Sequence, residues 1–207
     1  MPPLISPTAR RFAPSAARNR DPILQVLRRR LPRAGLVLEI ASGTGEHALH
    51  FAQHLGPDLI FQPSDPSDEA RASIDAWVRE ANLPNLRPAL ALDVSADAWP
   101  VAAANAVLCI NMIHIAPWQA AIGLISGASR ILPPSGLLIL YGPYRRYGAH
   151  TAPSNAAFDL DLRARNPAWG VRDLEDVTAV AAQHEFSAPA IEPMPANNLT
   201  LIFQREG

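Results

Sequence analysis

An unbroken strand-like run, Leu36 to Ile40, leads into "ASGTG" and then into helical spacing from Glu46 to about Leu55. A strand that stops on glycines and restarts as a helix after five residues leaves few folds open. The alternation then repeats. Leu59–Gln62 predicts a second strand, and Asp68–Ala81 a helix on which Ala70, Ile74, Trp77 and Val78 share one face. Leu86–Leu92, Ala106–Ile110 and Gly136–Gly142 read as further strands, with a helix from Pro117 to about Leu132 before the last of them. A Pro- and Gly-interrupted stretch, 143–153, precedes helices near Asn155–Arg165 and Asp173–His184. Strand candidates Ala188–Glu192 and Asn198–Gln204 end the chain. Units of this length predict an α/β fold, a mostly parallel seven-stranded sheet with helices on both faces and an antiparallel C-terminal hairpin.

At 207 residues this fits one domain, expected over 21–207, with Asp21 capping a helix that Pro22 opens and that runs over Ile23–Leu31. Residues 1–20 carry four arginines and four prolines and predict an irregular arm rather than a transit helix. No apolar run reaches the ~20 residues of a membrane span, so the expected setting is cytoplasmic, without membrane contact. A net charge of −1 argues against a nucleic-acid partner. All 18 basic residues are arginine, which excludes Schiff-base and P-loop lysine chemistry and suggests a GC-rich bacterial genome. The single Cys109 lies in an apolar run and reads as core.

"GTGEHA" fits the dinucleotide pattern G-x-G-x-x-[GA], a weak signal alone. Glu39, inside the strand and four residues before Gly43, separates the readings. A carboxylate there opposes a pyrophosphate and suits a cationic ligand. "LEIASGTG" thus resembles the first motif of class I S-adenosylmethionine (SAM)-dependent methyltransferases. The resemblance implies SAM as cofactor and S-adenosylhomocysteine as product, held by Glu39, Ala41, Ser42, Gly43, Thr44 and Gly45. It also implies Asp65 on the ribose hydroxyls, Asp93 with Val94 at the adenine, and Asn111 facing the methionyl end and the substrate.

The blocks "EIASGTGEH", "QPSD", "INMIHIAPW", "YGPY", "APSNAAFD", "NPAWGVRD" and "MPANNL" resemble one family more closely. It is the family known as domain of unknown function 938, related to methyltransferase-like protein twenty-six, and the likeness runs from about Arg18 to Phe203. It implies a Rossmann-like methyltransferase fold and names no substrate. A small-molecule methyl acceptor is the expected partner.

His47, His50 and His54 share a helical face, but no further ligands at suitable spacing accompany them, so no metal is expected. His47, at the helix start, is placed near the ligand. His114 lies three residues beyond Asn111, where methyl acceptors sit in this fold, and a neutral imidazole there could act as general base. Asn111 and Tyr144 complete the candidate catalytic set, while Tyr141, Asn155, Trp169, Arg172 and Asn197 are candidates for the acceptor pocket. Two other functions fit parts of the pattern: an NAD(P)-binding oxidoreductase, and a non-catalytic SAM-binding or interaction protein with the same fold.

Overall fold

A computed structural model of the chain describes residues 10–207, which form two compact units, up to Asp93 and from Val94 onward. In the first, α1 (Pro14–Arg30) precedes β1 (Gly35–Ile40), α2 (Glu46–His54), β2 (Leu59–Pro63) and α3 (Asp68–Ala81). β1 and β2 pair in parallel, from Gly35 opposite Leu59 to Glu39 opposite Pro63.

The helix α1 corrects the expected arm. Residues 1–9 of that arm lie outside the described residues, but 14–20 are helical, with Pro14 rather than Pro22 in the first turn. Pro22 sits inside the helix, where a missing N–H and a ring clash cost ~3 kcal/mol. Burial of Ile23, Leu24, Val26 and Leu27, at roughly 1.5–3 kcal/mol each, outweighs that cost. Arg28, Arg29 and Arg30 in the last turn suit the negative end of the helix dipole.

The expected strand at Leu86–Leu92 is also corrected. The segment runs beside β2 and exchanges bonds with it: Arg87 N–H to Phe61 O, and Leu90 N–H to Pro63 O. Only two isolated parallel bridges result, Phe61 with Leu86 and Ser64 with Leu90. Pro88 has no N–H to continue the ladder. Among the described residues the main sheet therefore has six strands where seven were expected, two from the first unit and four from the second.

In the second unit β3 (Ala106–Ile110) leads through a 3₁₀ turn, Met112–His114, into α4 (Trp118–Ile131) and β4 (Leu137–Pro143). A small ribbon, β5 (Arg145–Arg146) with β6 (Ala149–His150), occupies the interrupted stretch. Then come α5 (Pro153–Arg165), α6 (Leu174–Gln183), β7 (Ala190–Met194) and β8 (Asn198–Gln204). β3 and β4 are parallel, whereas β8 pairs antiparallel with both β4 and β7. The expected antiparallel C-terminal pair is thus present, its connection turning through Ala196 and Asn197 at positive φ. No helix among the described residues is long and apolar enough to cross a membrane.

Candidate functional site

In the first unit the ends of β1 and β2 are laced together. Ser64 donates from its amide and its hydroxyl to Glu39 O, and Ser42 N–H donates to Ser64 O. The lacing turns the chain sharply at Ala41, which holds a left-handed φ of 53°. Gly43 follows at φ 58° and Gly45 at φ 90°. Gly45 is required twice over, because a Cβ there would lie 2.9 Å from Ile74 Cα on α3. Residues 41–45 thus form a tight loop against α3, with α2 starting immediately behind it.

Two carboxylates hold the ends of this loop in different states. Asp65 is pinned by backbone: Gly43 N–H donates to Oδ2 at 3.0 Å and Ser67 N–H to Oδ1 at 2.9 Å. Each oxygen keeps lone pairs for further donors. Glu39 is buried in β1, and its Oε2 has no hydrogen-bond partner. Burial, helped by the charge of Asp65, pushes its carboxyl up from about 4.5 to about 8, against a hydrogen bond with Ser42 that lowers it. A buried carboxyl oxygen without a partner is costly, and a cationic donor is the chemistry that satisfies it.

His47 is tied to α1 and to its own helix. Its Nε2 is 2.7 Å from Asn19 Oδ1 on α1, and its ring stacks on Phe51. Burial, with the charges of His50 and Arg20, lowers its pKa to about 4, so it joins two helices as a neutral ring. His50 faces Asp21 at 2.8 Å and His54 bonds back to His50 O. Asp93 is exposed at the end of this unit.

The second unit gathers His114, Tyr144 and Arg172 around the end of β3. Asn111 takes a left-handed φ of 63° and starts the 3₁₀ turn that ends on His114. His114 is fully buried; Arg172 N–H donates to its Nδ1 at 3.3 Å, which places the ring proton on Nε2. Burial and the Arg172 charge depress its pKa to about 3. In this arrangement the Nδ1 lone pair accepts from the Arg172 amide and Nε2–H is the free donor. A Cβ on Gly142 would lie 2.3 Å from His114 Nε2 and 3.2 Å from Asn111 Oδ1, so only glycine lets these two side chains approach β4.

Several of the residues expected at the acceptor pocket make internal ties. Tyr144 packs edge-on to His114 with centroids 5.1 Å apart, its hydroxyl buried without a partner and its pKa raised by burial. Tyr141 is buried within β4, opposite Ile110 and Thr200. Arg172 donates to the carbonyls of Ile113, Ala116 and Ala168 and stacks over Trp118, which clamps the turn after β3. Asn155 Nδ2 donates to Asn197 O, and Asn197 Nδ2 to Ser154 Oγ, fastening the β7–β8 connection to α5. Trp169 is half-buried and Val94 buried.

Sequence reasoning missed Glu46, Ser64 and Ser73. Ser64 and Ser73 donate to the carbonyls of Glu39 and Thr44, and Glu46 accepts from the Thr44 hydroxyl and the Ala13 amide, partners that no spacing in the sequence announces. Among the described residues no cluster of His, Cys, Asp or Glu could hold a metal ion.

The fold is that of known methyltransferases. An O-methyltransferase family protein from Burkholderia thailandensis superposes with a TM-score of 0.79 at 17% identity, over 93% of this chain and 58% of that one. An O-methyltransferase family 2 protein from Planctomyces limnophilus, solved in complex with apigenin, gives 0.76 at 20% identity, over 97% and 62%. Human N-acetylserotonin methyltransferase in complex with SAM gives 0.73 at 12% identity, over 93% and 53%. The chain therefore spans little more than half the length of these structures, and at such identities the likeness establishes the Rossmann-like fold alone. A family model described as a protein of unknown function, DUF938, matches residues 10–205, and the chain belongs to that family.

Proposed function

We propose that this chain is a cytoplasmic SAM-dependent methyltransferase acting on a small molecule. The observation that carries the proposal is the partnerless, buried Oε2 of Glu39 at the root of the glycine loop. The α-ammonium of SAM is a donor of the right charge for it, whereas the pyrophosphate of a dinucleotide would meet a carboxylate. Gly43 and Gly45 let the loop backbone approach a ligand closely, and Asp65 retains lone pairs on both oxygens for the ribose hydroxyls. SAM supplies a methyl carbon already activated by its sulfonium, so the protein's contribution is orientation, worth several kcal/mol. The structural relatives support this reading, one of them having been solved with SAM. A net charge of −1 favours a small acceptor over a nucleic acid.

Calorimetric titration of the full chain with S-adenosylhomocysteine and, separately, with NAD tests the cofactor. Binding of the former alone is expected; binding of NAD alone would overturn the proposal. Comparison of metabolites between a deletion strain and its parent is expected to show one methylated small molecule that disappears.

A further inference from the structure

The backbone of residues 10–13 lies against the glycine loop and reaches it through two side chains. Ala13 N–H donates to Glu46 Oε2 at 2.6 Å, and the same oxygen accepts the Thr44 hydroxyl at 2.9 Å. Arg11 N–H donates to Ser73 Oγ at 2.8 Å, and that hydroxyl donates to Thr44 O at 2.9 Å. Both ends of Thr44, side chain and carbonyl, are therefore held by a relay that starts on the N-terminal segment. The segment is itself docked on α3: Phe12 meets Trp77 edge-on at 5.1 Å, Arg10 lies over the Trp77 ring, and Arg10 and Arg11 pair with Glu80 and Glu69. Ser73 is fully buried and Glu46 nearly so, which leaves both shielded from competing water.

We infer that Glu46 and Ser73 are positioning residues for the cofactor loop, and that ligand binding and docking of residues 10–13 are coupled through Thr44. This rests on the reading of that loop as the SAM site. Thr44 lies between Gly43 and Gly45, both at positive φ and without a Cβ to limit rotation of the backbone on either side of it. The two relays supply the restraint that the glycines lack. Coupling of this kind is reciprocal: whatever a docked segment adds to ligand affinity, the ligand adds to segment docking.

Titration of the full chain with S-adenosylhomocysteine is the first arm. Glu46→Ala, which removes the shared acceptor, is expected to weaken binding about tenfold, within the range usual for coupled sites. Glu46→Gln keeps an oxygen that can accept both bonds and is expected to restore most of the loss, a rescue that mere loss of packing would not give. The second arm uses the unaltered chain: hydrogen exchange at the Arg11 and Ala13 amides is expected to slow when S-adenosylhomocysteine is added. Undiminished binding by Glu46→Ala, or exchange at those two amides indifferent to a ligand that binds, overturns the inference and leaves the methyltransferase reading intact. Failure of the unaltered chain to bind S-adenosylhomocysteine overturns that reading, and this inference with it.

Discussion

Glu39 is a buried carboxyl whose surroundings disagree with its ordinary charge. Folded, it titrates near 8; unfolded, near 4.5, so between these values the native chain binds the extra proton. Stability of the ligand-free protein must then fall as pH rises through that window, by about 3 kcal/mol at pH 7. Glu39→Gln, which cannot ionise, is expected to flatten this slope in urea unfolding measured from pH 5 to about 8 and to raise stability at neutral pH. A cationic ligand reverses the preference by favouring the carboxylate. Titrations of S-adenosylhomocysteine in buffers of differing ionisation enthalpy should accordingly report a proton released on binding near pH 7. Ala41 carries a simpler tension, holding a side chain at φ 53°. Ala41→Gly is expected to stabilise the chain by roughly 1 kcal/mol, seen as a raised thermal midpoint.

The turn after β3 depends on glycine and arginine together. Gly142→Ala would force His114 and Asn111 away from β4 and is expected to destabilise by roughly 2 kcal/mol or more in denaturant titration. Arg172→Lys keeps the charge but not the fork that reaches Ile113, Ala116 and Ala168, and is expected to cost about 2 kcal/mol. These ties explain what the sequence could and could not convey. Bounds such as Asp68–Ala81 and Ala106–Ile110 were legible because each carries one period and an evident start or stop. The segment after Asn85 was not, since its apolar composition spells a strand while Pro88 interrupts the ladder. The length of α1 was hidden by prolines whose cost tertiary burial offsets. Glu39, Asp65 and the glycines could be picked out by chemistry and spacing. For Arg172, Asn155 and Tyr144 the sequence shows that a side chain is polar or aromatic, not which carbonyl or ring it meets.

For the chain as a whole, charge and ligand chemistry point the same way. With a net charge of −1 the long-range field is weak, and the contact proposed for Glu39 is buried. Affinity for S-adenosylhomocysteine is therefore expected to stay within about twofold between about 50 and 200 mM salt, a range over which phosphate-led binding would fall by orders of magnitude. The most direct test of the cofactor assignment isolates the ammonium. The full chain and its Glu39→Gln variant would each be titrated with S-adenosylhomocysteine and with 5′-methylthioadenosine, which lacks the amino-acid end. The unaltered chain should prefer S-adenosylhomocysteine by about 10- to 100-fold, the worth of one charged hydrogen bond, and Glu39→Gln should erase most of that preference. An equal loss of affinity for both ligands, or a preference untouched by the substitution, would contradict the role assigned to Glu39.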